Sequence, residues 1–158
     1  MSGIFLFSGA VQSGKTTIID EWTRNKANVD GILQPVINGI RYLKQISSGE
    51  TRLLEIQPGS DEGNIICVGK YKFSSDVFAW ARNQLLSAYN SNPEWLIIDE
   101  FGKLEIEGRG LEPAVNKILS DLGYHQNTNL VIIVRDYLVT DFLDKYELTN
   151  NKIKSLKM

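Results

Sequence analysis

Residues 4–17 read Ile4-Phe5-Leu6-Phe7-Ser8-Gly9-Ala10-Val11-Gln12-Ser13-Gly14-Lys15-Thr16-Thr17, and the order of residue types in this stretch decides the fold. The apolar run 4–7 has the form of a strand covered on both faces, and it is expected to be buried. The octet 9–16 fits G-x-x-x-x-G-K-[ST] in full. After it, Ile18, Ile19 and Trp22 recur on one face and predict a helix over 14–26. Strand, glycine loop and helix is the sequence of elements that such a loop needs in order to hold phosphate. Successive backbone N–H groups from Gly9, Ala10, Val11, Gln12, Ser13 and Gly14 wrap a β-phosphate, and the helix N-terminus adds unsatisfied donors and a positive dipole end. Lys15 is expected to reach the β- and γ-phosphates, Thr16 to place its hydroxyl on Mg²⁺, and Thr17 to donate to the α-phosphate. By chance the pattern arises about once in a few hundred chains of this length, before its context is required. The bland alternative is a glycine turn with an exposed lysine.

A second apolar run, 95–98, ends at Asp99-Glu100, which is the form of a Walker B strand end. Asp99 is expected to hold Mg²⁺, directly or through water, opposite Thr16. Glu100, one residue on, is expected to polarise an attacking water, because in-line attack on a γ-phosphate needs a positioned nucleophile and little covalent chemistry from the protein. Arg135 ends a third apolar run, 130–134, at the edge of a sheet where ligands collect. Its guanidinium either faces the γ-phosphate and stabilises transition-state charge, or pairs with Asp136 or another neighbouring acid. Lys103 and Arg109 are weaker candidates of the same kind. His125, the only histidine, lies in a polar loop and reads as a solvated turn. Tyr42, Gln45, Phe73 and Trp80 could line a base pocket, though core roles explain the aromatics more simply.

Between the first two runs the pattern changes to β segments at 31–37, 40–46, 52–57 and 64–73, divided by turn signals at Asn38-Gly39, Ser48-Gly49 and Pro58-Gly59. Asn38-Gly39 suits a two-residue hairpin, since both residues tolerate positive φ. Ser74 and Ser75 offer an N-cap to a helix over 75–89 with Phe78, Ala81, Leu85 and Ala88 on its apolar face. A third helix carries Leu111, Val115, Ile118, Leu119 and Leu122, with Pro113 in its first turn, and a short helix over 141–146 and an edge strand near Ile153 close the chain. Together these predict an α/β domain spanning 1–158 with a P-loop fold: a mainly parallel sheet flanked by helices, with an antiparallel β insertion after the first helix.

Composition narrows the partners. The 158 residues carry 17 Lys and Arg against 19 Asp and Glu, a formal net charge of −2, so nucleic acid is not favoured as the main partner. Cys67 is the only cysteine, in the run Ile65-Ile66-Cys67-Val68, and is expected to be a small buried hydrophobe in a reducing compartment. No apolar run nears the roughly 20 residues that span a bilayer, and the start lacks the basic residues of a secretion signal, so a cytoplasmic protein is expected.

These residues resemble the small P-loop nucleoside triphosphatases of archaea, bacteria and animals. Ile97-Ile98-Asp99-Glu100-Phe101-Gly102-Lys103-Leu104-Glu105 is similar to that family's extended Walker B signature, in which a Gly and a second Glu follow the Asp-Glu pair. Weaker similarity runs through Ser48-Gly49-Glu50 and Val68-Gly69-Lys70-Tyr71. The resemblance implies Mg²⁺-dependent hydrolysis of ATP, GTP and other nucleoside triphosphates with little base selectivity, and it brings Glu105 to the site as an acid behind the others or, alternatively, an ordinary surface residue. There is a departure after the first helix. The family usually shows a glycine, a Thr, an acidic residue and an Arg there, whereas here Gly31 is followed by Gln34, Val36 and Asn38.

Two other readings share the loop. A small-molecule kinase needs an acceptor pocket and usually an Arg-rich lid; no such lid segment is visible, but the β insertion offers room for an acceptor. A nucleotide-dependent regulator of the guanine type needs Asn-Lys-x-Asp, and neither Asn25-Lys26 nor Asn151-Lys152 leads to the required Asp; an ATP-dependent regulator or assembly protein stays open.

Overall fold

The computed structural model describes residues 3–9, 14–59, 63–124 and 127–156. Ala10, Val11, Gln12, Ser13 and His125 lie outside the described residues, as does the Lys15 side chain. The first apolar run forms β1 (Ile4–Gly9), which lies parallel between β9 (Asn129–Arg135) and β10 (Ile153–Ser155). β8 (Trp95–Phe101) pairs with the other side of β9, and β2 (Val29–Leu33) with β8, both parallel. The parallel order is therefore β10-β1-β9-β8-β2.

At β2 the sheet becomes antiparallel. β4 (Ile40–Gln45) pairs with β2, and β3 (Val36–Ile37) and β5 (Thr51–Leu53) pair with β4. The β3–β4 turn is Asn38-Gly39 with φ of 52° and 78°, as the two-residue hairpin requires. Residues 64–73, which read as one segment, are instead a hairpin of β6 (Ile65–Val68) and β7 (Tyr71–Ser74), because Gly69 adopts φ 56° and turns the chain.

Helices cover both faces. α1 (Lys15–Arg24) lies on one, with α2 (Ser75–Asn90), α4 (Ala114–Asp121) and α5 (Val139–Lys145) on the other; a single turn, α3 (Lys103–Ile106), follows β8. The division follows from strand periodicity: Ile97, Val131 and Ile133 join Ile19 and Leu33 on the α1 side, while Leu96, Ile98, Leu130, Ile132 and Val134 face the larger core with Leu85, Ile118 and Phe142. Each fully buried aliphatic side chain here contributes about 1.5–3 kcal/mol. Ser74 caps α2 as expected, its Oγ accepting from the Val77 N–H at 3.2 Å. Pro113 stands just before α4 rather than within it.

Two burial expectations are corrected. Residues 4–7 are half-buried rather than buried. Cys67 is exposed and free, because β6 belongs to a two-stranded ribbon whose alternate side chains have nothing to pack against.

Candidate functional site

The end of β8 departs from a regular strand. Ile98 is opposite Ile132 and Phe101 opposite Val134, so three steps on β8 match two on β9. The extra residue is a bulge, and Glu100 within it has φ 66°, a conformation costing a non-glycine residue about 1–3 kcal/mol. The bulge returns Phe101 to the larger core, against Phe142 and Tyr146, with ring centroids 4.9 and 5.7 Å away. Strain of this kind persists where the surroundings over-determine it, and the surroundings here are two side-chain constellations.

The first is built on Asp99, only 1% exposed and so not the solvent-facing acid that a strand end suggests. Its Oδ2 accepts from the Thr16 hydroxyl at 2.8 Å and from the Gln34 N–H at 2.9 Å. The start of α1, the end of β8 and the residue after β2 are thereby tied at one carboxylate oxygen. β2 can approach because Gly31, at φ 139°, has no side chain; a Cβ there would overlap the Ile97 carbonyl oxygen and lie 2.7 Å from its nitrogen.

The second is the ion pair between Arg135 Nε and Glu100 Oε1 at 2.6 Å, the two side chains being 23% and 19% exposed. Burial works against the Arg135 charge, but Glu100 and Tyr137 beside it outweigh that and raise its pKa above the ordinary value. The acid that pairs with Arg135 is Glu100 on the neighbouring strand rather than Asp136. Because β9 lies between β1 and β8, Arg135 stands in register with Gly9. Arg135 is therefore on the strand between the one that leads into the glycine loop and the one that carries Glu100.

Behind both is Glu105, buried at 4% exposure rather than on the surface. Its Oε1 accepts from the Gly102 N–H and its Oε2 from the Leu111 N–H, each at 2.9 Å. Burial pushes its carboxyl up to about 7, against the lowering effect of these N–H groups, and nearby Glu100 pushes the same way as burial. Gly110, at φ 66°, leaves the space that Glu105 Oε2 fills.

Gly14, Thr16, Thr17, Gln34, Glu100 and Arg135 all line one cavity of about 650 Å³, in the range of small-molecule sites. The donor set fits a hard divalent cation: a hydroxyl and a carboxylate oxygen in contact, beside open space for phosphate and water oxygens. Among the described residues no three His, Cys, Asp or Glu converge, so such an ion would draw most of its ligands from phosphate and water.

Other candidates fall elsewhere. Lys103 and Arg109 line an adjoining cavity with Phe73, and Arg109 pairs with Glu107 at 2.7 Å. Trp80 is in the core under the Arg52 guanidinium, 4.5 Å from ring centroid to Cζ. Gln45 accepts from the Ser48 hydroxyl at 2.9 Å, and Tyr42 lies in the β4–β5 ladder opposite Leu53. Sequence reasoning missed the Gln34 backbone N–H, which carries no residue-type signal, and Arg41 and Tyr71, which the two hairpins fold back onto the cavity.

Comparison with known proteins bears on the family and the fold. The sequence model of a family described as NTPase matches residues 4–157. THEP1 from the hyperthermophile Aquifex aeolicus has the same fold at 18% identity, with a TM-score of 0.73 over 98% of this chain and 88% of that one. The solution structure of a human cancer-related nucleoside triphosphatase, 22% identical, superposes with a TM-score of 0.64 over 100% of this chain and 89% of that one. No curated protein matches the chain in sequence.

Proposed function

The chain belongs to the NTPase family, and on that footing we propose that it is an Mg²⁺-dependent nucleoside triphosphatase cleaving the terminal phosphoanhydride of ATP- or GTP-type nucleotides. The observation that carries the reading is the Thr16–Asp99 contact at 2.8 Å, which joins the glycine-loop helix to the acidic strand end beside the cavity that Thr16 and Glu100 line. In this mechanism the loop residues Gly9, Ala10, Val11, Gln12, Ser13 and Gly14 bind the phosphates through their N–H groups, with Lys15 on the β- and γ-phosphates and Thr17 on the α-phosphate. Thr16 and Asp99 would hold Mg²⁺, which would supply charge neutralisation to the triphosphate.

Glu100 orients the attacking water. A carboxylate has about four acceptor sites over its two oxygens, so the bond from Arg135 to Oε1 leaves capacity for a water proton. In this reading a γ-phosphate competes with Glu100 for the Arg135 guanidinium, since both residues line the cavity. Charge that builds on the phosphoryl oxygens draws the cation, and the carboxylate it leaves becomes a better acceptor from water. The test is phosphate release from ATP, GTP, CTP and UTP by the full chain, with and without Mg²⁺. Release that needs the metal is expected; metal-independent release, or none from any triphosphate, would refute the reading.

A further inference from the structure

A second cavity, of about 430 Å³, shares a wall with the first: Gln34, Arg41, Tyr71, Glu100 and Arg135 line both. Its wall joins aromatic and aliphatic side chains, with Tyr71, Phe73, Phe78, Val68 and Leu104 among them. Phe73 and Phe78 are buried in the core beneath it, and the Tyr71 ring is stacked on Phe73 at 8° with centroids 5.9 Å apart.

The charges around it do not balance. Arg135 is paired with Glu100 and Arg109 with Glu107, and both Glu105 oxygens accept from backbone N–H groups. That leaves Arg41 from β4, Lys70 from the β6–β7 turn and Lys103 from the start of α3. None of the three forms an ion pair with a described carboxylate. Arg41 and Lys70 rest on the same Tyr71 ring, at 5.2 and 5.3 Å from its centroid, so two like charges share one aromatic partner. Three cations from three separate elements line one cavity without a paired carboxylate, and an anion bound there would offset their charge. A cavity that combines aromatic side chains with unpaired cations suits a planar ring that carries an anion.

We propose that this second cavity is an acceptor site for a nucleoside monophosphate, and that the terminal phosphoryl group of a triphosphate in the first cavity passes to it across the shared wall. The inference rests on the triphosphate occupying the first cavity, as in the reading above, but not on Glu100 activating water. An oxygen of the monophosphate dianion attacks the γ-phosphorus and forms a new P–O–P bond. The bond from the γ-phosphorus to the β,γ-bridging oxygen breaks, and that oxygen leaves with the electron pair on the nucleoside diphosphate. A phosphate dianion is already a nucleophile, so no proton moves, and one triphosphate and one monophosphate give two diphosphates. Arg135, on the shared wall, offsets the repulsion between the two phosphate groups.

The experiment uses the full chain with Mg²⁺ and ATP, alone and with CMP, GMP or UMP, and GTP with AMP, reading phosphate release and formation of the acceptor's diphosphate. At least one monophosphate is expected to be converted, with phosphate release falling as it is. Lys70→Glu, at an exposed turn, should cut transfer about tenfold or more by removing a charge-assisted contact, with phosphate release from ATP alone unchanged. Glu100→Gln should slow phosphate release and spare transfer. The acceptor site is overturned if no monophosphate is converted, or if monophosphates only slow phosphate release. It is equally overturned if Lys70→Glu raises the KM for ATP alone, since the triphosphate's own base would then fill the cavity. Transfer without phosphate release would sink the hydrolase reading and leave the acceptor site standing, and phosphate release without transfer would do the reverse.

Discussion

Glu105→Gln tests whether the loop after β8 is held by a carboxyl group rather than by shape alone. In the parent both carboxyl oxygens accept, one from the Gly102 N–H and one from the Leu111 N–H, each at 2.9 Å. A glutamine keeps one acceptor and turns an NH₂ group toward the other N–H, donor against donor in a buried place, at a cost of about 1–3 kcal/mol. Against this runs the carboxyl's own proton equilibrium. Its pKa rises from 4.5 to about 7 on folding, first through burial. The folded state therefore binds the proton more tightly, and this favours folding fully below pH 4.5 and is lost as pH climbs through about 7. At about 1.4 kcal/mol per pH step the loss amounts to about 3 kcal/mol, and the glutamine cannot share it. Near pH 5 the variant should be less stable than the parent by about 1–3 kcal/mol, and by pH 8 the deficit should vanish or reverse. Urea unfolding of both proteins at half-unit intervals measures the difference directly. A parent-minus-variant difference that stays flat across that range would refute the reasoning.

Glu100→Gln should lower single-turnover phosphate release about 10²–10⁴-fold while triphosphate affinity measured by calorimetry holds, because the amide still accepts from Arg135 but no longer polarises water. Asp99→Asn should raise the Mg²⁺ concentration for half-maximal release about 10–100-fold, read from a metal titration at saturating nucleotide; an unchanged midpoint would place the metal elsewhere. Gly31→Ala should cost about 3 kcal/mol or more, seen as a lowered urea midpoint, since the new Cβ has only the rigid Ile97 backbone to displace.

The elements that a short-range pattern dictates were legible in the sequence. The apolar runs at 95–98 and 130–134 became β8 and β9, Ser74 capped α2, and Asn38-Gly39 made its hairpin. Each rests on a local rule, either periodicity or the conformational needs of one or two residues. What escaped was fixed at long range. Nothing local tells that Glu105 is buried, since its partners, the Gly102 and Leu111 N–H groups, exist only once the loop closes on itself. Cys67 sits in an apolar run but at the one exposed position of β6, and only the tertiary arrangement of the two-stranded ribbon decides which of its side chains are covered. Asp99 showed its residue type but not its environment: burial at a strand end depends on Gln34 arriving from β2.

The bulge in β8 explains how two adjacent acids come to do different work. In a regular strand successive side chains point to opposite faces, so Asp99, following Ile98, faces the α1 side and meets Thr16. Glu100 would then point into the larger core, beside Ile98, where a carboxylate has no partner and burial of its charge is costly. The left-handed backbone at φ 66° removes it from that alternation and gives the core position to Phe101 instead. Arg135 secures the result, since the 2.6 Å ion pair lies on β9, the strand between β1 and β8. Strain of about 1–3 kcal/mol at Glu100 is thus offset by a half-buried ion pair and by a phenylalanine that packs where the acid could not. The carboxylate is left at the edge of two cavities rather than inside one core, where it can accept from a water beside a triphosphate in the first.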